Sequence, residues 1–68
     1  MTQTQKVLDY IDRFNSITPL QAFADLGIMR LAARISDLKK MGVDIASEMV
    51  KDLNRFGEPV HYTRYRRA

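Results

Sequence analysis

The sequence predicts a small, mainly α-helical domain that ends in a C-terminal β-hairpin, and two observations lead to this fold class. Up to Lys39-Lys40, apolar residues recur at helical spacing in three segments, with polar or glycine residues between them. After Gly42 the apolar residues alternate with their neighbours, which is the period of a β-strand. With 68 residues, the chain has room for one domain with a thin hydrophobic core.

The first predicted helix covers about residues 4–14 and is capped by Thr2 or Thr4. Its apolar side chains form one stripe. The stripe consists of Val7, Leu8, Ile11 and Phe14. Asn15-Ser16 ends the helix because both side chains compete for backbone hydrogen bonds, and Ile17 is predicted to form a very short strand.

The second predicted helix is short and runs from Pro19 to about Leu26. Thr18 can accept a hydrogen bond from a free backbone amide, and Gln21 completes a capping box. Pro19 suits the first helical position because its missing N–H would have no partner there. Gly27 is expected to end the helix in the left-handed conformation that a tight turn needs.

The third predicted helix runs from Ile28 to about Met41, with lysines in its last turn where they suit the helix dipole. Its apolar stripe consists of Ile28, Leu31, Ala32, Ile35 and Leu38. Gly42 is the expected terminator.

The remaining segment is predicted to form a hairpin with strands at about residues 43–51 and 59–65. The run Asn54-Arg55-Phe56-Gly57 supplies the turn. The pairing register of the two strands is not determined by the pattern, because apolar residues of the second strand fall on both of its faces. A bulge could place them on one face. Residues 64–68 are expected to form a basic tail.

This order of elements is that of a winged helix-turn-helix domain. We expect residues 1–68 to form a single domain of this kind, with three helices and a small antiparallel sheet of two or three strands.

Three segments carry a family resemblance: Ser16 to Ala22, Leu26 to Leu38, and Asn54 to Gly57. The most specific part is the run LGIMRLAARISDLKK. Together they resemble the short helix-turn-helix proteins that are widespread in phage and prophage genomes, over about Thr4 to Tyr65. The resemblance implies a winged helix-turn-helix fold and DNA binding.

Composition narrows the classes of function. The chain has no cysteine and one histidine, which argues against disulfides, thiolate metal sites and zinc. No nucleophile elbow or glycine-rich phosphate loop is present, so we expect no enzyme, no cofactor and no small-molecule substrate. No apolar run approaches the ~20 residues of a membrane span, and the polar start lacks a signal peptide's apolar core. We expect a cytoplasmic protein.

Charge is distributed unevenly in this basic chain, whose formal net charge is +3. Residues 1–27 carry two basic and three acidic side chains, whereas residues 28–68 carry nine basic and five acidic ones. The positive C-terminal part is therefore the part that would attract a polyanion such as DNA.

The polar side of the third helix is the candidate for reading DNA bases, if this helix enters the major groove. Arg30 and Arg34 can each donate two hydrogen bonds to a guanine. Ala33 between them allows close approach, and Ser36 can reach a base or a phosphate. The alternative is a solvated surface on which Arg34 pairs with Asp37.

A second set of residues is expected to contact the DNA backbone, from the second helix, the end of the third, the hairpin and the basic tail. The set consists of Thr18, Gln21, Lys40, Lys51, Asn54, Arg55, Arg64, Arg66 and Arg67. For Thr18, helix capping alone is the alternative role. Phe56 at the hairpin tip is expected to be tucked under the hairpin rather than exposed to a partner.

Two hypotheses of function follow. The first is a duplex-DNA-binding transcriptional regulator of phage type, acting as a homodimer or on a tandem site. The alternative is a small winged-helix protein that binds and modulates a host protein without touching DNA. Exposed Met29, Phe56 or Tyr62 would favour the alternative.

Overall fold

The computed structural model describes residues 1–68 and contains three helices followed by an antiparallel hairpin. The elements are α1 (Gln3–Phe14), α2 (Pro19–Leu26), α3 (Leu31–Lys40), β1 (Ile45–Leu53) and β2 (Pro59–Arg67). Ile17 adds an isolated antiparallel bridge to Tyr65, so β2 has β1 on one side and this short segment on the other. The arrangement confirms the predicted fold class, including the very short strand at Ile17.

Side-chain caps determine where α1 and α2 begin. The Thr2 hydroxyl accepts a hydrogen bond from the Gln5 N–H at 3.1 Å, and the Gln5 side chain accepts from the Thr2 N–H at 2.9 Å. Thr18 and Gln21 form the same pair of bonds at α2, at 3.2 and 3.0 Å, which confirms the predicted capping box. Gly27 then ends α2 with a φ of 68°, in the left-handed region that favours glycine.

α3 begins at Leu31, later than the predicted Ile28. Ile28 is buried and fits the helical spacing, but its N–H donates to the Ala22 carbonyl at 3.0 Å. This hydrogen bond closes the end of α2, so Ile28 belongs to the cap of the preceding helix. Met29 and Arg30 consequently lie in the turn, directly before the first residue of α3.

The core is formed by one side of each helix and the base of the hairpin. Its nine buried apolar residues are Val7, Ile11, Ile17, Ala22, Ile28, Leu31, Ile35, Leu38 and Ile45. Ile17 is completely buried, and its N–H and carbonyl both bond to the backbone of Tyr65 at 2.9 Å. Phe14 departs from the predicted apolar stripe, because it is exposed and its ring stacks on Tyr10, which packs against the edge of this core.

β1 and β2 pair in one continuous register, from Ile45 opposite Arg67 to Leu53 opposite Pro59. No bulge is present in the ladder, and both strands continue past their predicted ends. Apolar residues lie on both faces of β2 because the hairpin is only partly covered by the helices. Residues 51–59 are all exposed, so this end of the hairpin projects from the core.

The predicted basic tail at residues 64–68 is wrong. Arg64, Arg66 and Arg67 belong to β2, which continues to the base of the hairpin. The Arg67 guanidinium donates to both carboxylate oxygens of Asp12 on α1, from Nε at 2.7 Å and from Nη2 at 3.0 Å. Strand pairing and this ion pair fix the end of β2 against α1.

The Asp12–Arg67 pair makes stability depend on pH. The hydrogen bond from Arg67 holds the pKa of the folded-state Asp12 carboxyl below its usual value. A carboxyl with a depressed folded-state pKa stabilises the fold above its unfolded pKa of about 3.9, and that contribution is lost as the pH falls through the folded pKa.

We therefore expect Asp12→Asn to lower Tm by a few degrees at most at pH 7, because the pair is half exposed. The difference from the unsubstituted protein should shrink as the pH falls below the unfolded-state pKa of about 3.9 and then through the lower folded-state pKa of Asp12. Thermal unfolding followed by circular dichroism across this pH range measures it, with Asp44→Asn as a control for an aspartate outside any ion pair. A Tm difference that stays constant with pH would contradict the assignment.

Candidate nucleic-acid interface

The start of α3 lines a cleft of about 330 Å³ together with the start of α2 and the inner part of β2. The lining residues are Pro19, Met29, Arg30, Leu31, Ala32, Ala33, Thr63 and Tyr65. Met29, Arg30 and Ala32 are exposed, and Ala33 is half-buried. Because the two alanines have short side chains, a large ligand can approach the backbone of α3 closely here.

The N-terminus of α3 differs from those of the other helices. No side chain caps it, whereas capping boxes close α1 and α2. The first N–H groups of a helix have no partner within the helix and lie at the positive end of its dipole. Such an end favours anions, including the phosphates of nucleic acids.

The two candidate base-reading arginines have different surroundings. Arg34 Nε lies 3.2 Å from Asp37 Oδ2, and Arg34 Nη1 donates to Gln3 Oε1 on α1 at 3.4 Å. The Arg34 side chain is 32% exposed, so it is held against α1 rather than extended into solvent. Arg30 is exposed and has no carboxylate partner. Only Arg30 is free to bind a ligand without first breaking an ion pair.

The register divides the side chains of the wing, by which we mean β1, β2 and the loop 54–58, between two faces. The inner face, which includes two cleft residues, consists of Ile45, Ser47, Met49, Lys51, Leu53, Pro59, His61, Thr63, Tyr65 and Arg67, of which Ile45 is buried in the core and Arg67 is paired with Asp12. The outer face consists of Ala46, Glu48, Val50, Asp52, Val60, Tyr62, Arg64 and Arg66.

Charge follows this division. Both carboxylates of the paired strands, Glu48 and Asp52, lie on the outer face, whereas the inner face carries Lys51 directly opposite His61. Repulsion of a polyanion by carboxylates is thus avoided on the inner face. The inner face is the side of the wing that is suited to contact phosphates.

The outer face carries its own ion pair. Arg64 Nε donates to Glu48 Oε1 at 2.8 Å, directly across the ladder. This hydrogen bond holds the pKa of the Glu48 carboxyl below its usual value, so the pair remains ionised at neutral pH. Arg64 is therefore occupied, as Arg67 is by Asp12, and Arg66 lies exposed on the same outer face.

The tip of the wing is organised by Asn54. Its Oδ1 accepts from the N–H groups of Phe56 and Glu58 at 2.9 and 3.0 Å, and its Nδ2 donates to Glu58 Oε1 at 3.2 Å. Gly57 closes the loop with a φ of 75°. Arg55 and Phe56 are both exposed, and the prediction that Phe56 tucks under the hairpin is wrong. All of residues 51–59 are exposed, so the helices do not cover the ring at this projecting end.

The structure brings only some of the predicted site residues together. Arg30 and Ala33 line the cleft, and Lys51 lies on the inner face of the wing. Ser36 and Lys40 are exposed on α3. Arg55 lies at the tip, beyond the inner face.

The other predicted site residues are engaged within the fold or face elsewhere. Arg34, Arg64 and Arg67 form ion pairs, and Arg66 is on the outer face. Thr18, Gln21 and Asn54 use their side chains to organise a helix start and the loop.

Sequence reasoning missed His61, Thr63 and Tyr65 as parts of this surface. Their place depends on the strand register, which assigns His61 to the same face as Lys51. Lys39, treated as a helix-end charge, is exposed beside Lys40 and adds to the positive charge of α3. The alternation of side chains along β2 was the one sequence signal for these residues. Without the strand register, it did not show which face of the strand turns toward α3.

No helix is long and apolar enough to cross a membrane, and no cluster of three or more His, Cys, Asp or Glu side chains is arranged to hold a metal ion.

Comparisons with known proteins identify the family of the chain. No curated protein and no solved structure matches the chain. The family model described as a winged helix-turn-helix domain matches residues 2–66. Nearly the whole chain is covered, and the helices, the Gly27 turn and the wing agree with that description. The chain belongs to the winged helix-turn-helix domain family.

Proposed function

We propose that this protein binds duplex DNA with the start of α3 in the major groove and the inner face of the wing along the sugar–phosphate backbone. Membership of the winged helix-turn-helix family indicates DNA binding in general. The observation that carries the finer proposal is the division of charge on the wing, where the inner face has Lys51 and His61 and no carboxylate.

Base reading is assigned to the exposed side of α3. Arg30 is free of ion pairs and precedes the uncapped helix, where a guanidinium can donate two bonds to a guanine. Ala33 permits close approach, and Ser36 can donate to a base or a phosphate. Arg34 joins this set only if it leaves Asp37, which a nearby phosphate would encourage by competing for the guanidinium.

Backbone contacts are assigned to the lysines of α3 and to the wing. Lys40 and Lys51 are exposed and unpaired, and Arg55 extends the positive surface to the tip. Thr18, Gln21 and Asn54 support these contacts by fixing the start of α2 and the loop. Arg64 and Arg67 are neutralised by their carboxylate partners, so of the three C-terminal arginines Arg66, which faces outward, adds an unpaired charge to the long-range attraction.

The biological role we propose is transcriptional regulation of the phage type, to which duplex DNA binding by a small winged helix-turn-helix domain is suited. A module of this size makes few base contacts, so useful specificity calls for a homodimer on two half-sites or for a tandem site.

The test is the salt dependence of binding to a labelled random-sequence duplex between about 50 and 200 mM salt. We expect Lys51→Ala to bind several-fold more weakly and to reduce the salt slope by about 0.9, the value for one phosphate contact. Lys6→Ala removes the same charge from the exposed side of α1 and should leave the slope unchanged.

Equal slopes for the Lys51 and Lys6 variants would refute the assignment of the inner face. Absence of binding by the unsubstituted protein at the lowest salt would refute DNA binding altogether. Circular dichroism of each variant checks that the fold is retained.

A further inference from the structure

Phe56 is the most exposed large apolar side chain of the protein, at 84%. Burial of such a ring in a partner would release free energy through the hydrophobic effect. The fold leaves it uncovered, as the whole segment from residue 51 to 59 is exposed. The ring is therefore available for burial in a partner.

Hydrogen bonds hold the loop backbone at Phe56 in a defined conformation. The Phe56 N–H is bonded to Asn54 Oδ1, the Gly57 N–H donates to the Asn54 carbonyl at 3.0 Å, and the Asn54 N–H donates to the Glu58 carbonyl at 2.9 Å. A loop that is ordered before binding loses little further conformational entropy when it binds. The loop backbone thus carries Arg55 and Phe56 at defined positions at the end of the wing.

The position of the tip matches the spacing of the DNA grooves. Thr63 lies beside the start of α3, and the strand from Thr63 to Pro59 extends about 13 Å at roughly 3.3 Å per residue. The loop adds a few ångströms to this length. Half a helical turn, which separates a major groove from the adjacent minor groove, is about 17 Å. The wing is therefore long enough for its tip to reach the neighbouring minor groove when α3 lies in the major groove.

We propose that Phe56 inserts as a wedge between two base pairs in the minor groove and kinks the DNA, with Arg55 bound in the groove beside it. This inference rests on the proposed DNA binding. Proteins that kink DNA from the minor groove use apolar wedges, phenylalanine among them. The negative potential of the minor groove attracts an arginine such as Arg55.

Exposure of Phe56, like that of Met29, is the feature expected of a protein-binding winged helix, but the family and the lack of carboxylates on the inner face favour DNA as the partner. Arg55 precedes Phe56, and the inner face of the wing behind it carries Lys51 and His61 without a carboxylate. The one carboxylate of the loop, on Glu58, is bonded to the Asn54 amide. The ring lies next to Arg55 at the end of an inner face that also exposes Met49 and Leu53 but carries no carboxylate. A minor groove offers such a tip both stacked bases for the ring and phosphates for the arginine.

The experiment measures DNA bending by energy transfer between dyes on the two ends of a duplex of about 24 base pairs with repeated TpA steps, which are kinked easily. We compare the unsubstituted protein with three variants: Phe56→Ala, Phe56→Leu and, as the control, Phe14→Ala. Phe14 is also an exposed phenylalanine, but it lies on α1. Because Phe56 and Phe14 are both exposed, all variants should fold, and Tm confirms it.

We expect the unsubstituted protein and Phe14→Ala to bring the duplex ends closer. Phe56→Ala should bind about tenfold more weakly and leave the duplex straight, while leucine, itself a wedge residue, restores the bend. Equal bending by Phe56→Ala, or binding without bending by the unsubstituted protein, would overturn the wedge and leave the proposed DNA binding intact. Absence of any binding would overturn both.

Discussion

Replacing Ile17 by alanine should lower the free energy of unfolding by about 2 to 4 kcal/mol, because it leaves a cavity at a completely buried position. Ile17 joins the helices to the sheet, since its side chain belongs to the core and its backbone is bonded twice to Tyr65. A domain of this length has a total stability of roughly 3 to 10 kcal/mol. The substitution therefore removes a large fraction of that stability.

Urea denaturation followed by circular dichroism measures this loss from the shift in midpoint. Ile17→Val should cost about 1 kcal/mol, because it removes one methyl group from the same site. Leu20→Ala is the surface control, and since Leu20 is 75% exposed its effect should stay within about 0.5 kcal/mol. Similar losses for the Ile17 and Leu20 alanine variants would show that Ile17 is not part of the core.

Replacing Arg30 by alanine should weaken binding to a preferred DNA site by about ten- to a hundredfold and relax the sequence preference at one position. Arg30 is exposed at the uncapped start of α3 and is not held by a carboxylate. Arg34→Ala should have a smaller effect on affinity, because the Arg34 guanidinium is held by Asp37 and Gln3.

The measurement begins with selection of a preferred duplex from a random pool, followed by titration of each variant on that duplex and on a scrambled one. Arg30→Ala should lose most of the difference in affinity between the two duplexes. Arg34→Ala is the matched control, since it removes an equal charge from the same helix. A greater loss with Arg34→Ala than with Arg30→Ala would indicate that Arg34 leaves its ion pair and reads the bases itself.

The helices were predictable from sequence because their signals are local. The Thr18 capping box and the Gly27 turn depend on neighbouring residues alone, and the structure contains both. The start of α3 was not predictable in this way. Ile28 has the spacing of a helical core residue, yet its backbone is used to close α2, and a pattern of apolar residues does not distinguish these roles.

The site was less predictable because it depends on contacts between distant residues. Arg64, Arg66 and Arg67 look equivalent in sequence, but the strand register gives them different faces and partners. Arg67 meets a carboxylate 55 residues earlier in the chain. Phe56 was misplaced for a related reason, since burial of the tip depends on how far the hairpin projects beyond the helices.

The position of β2 within the sheet has a consequence for how the protein folds during synthesis. β2 leaves the ribosome after the other four elements, yet it supplies the backbone partners of Ile17 and the guanidinium that binds Asp12. Closing contacts over so much intervening chain is slow, because loop entropy is lost before the contacts form. During synthesis, Ile17 therefore lacks its partner strand until β2 has emerged. The domain completes its native packing only after Arg67 has left the ribosome.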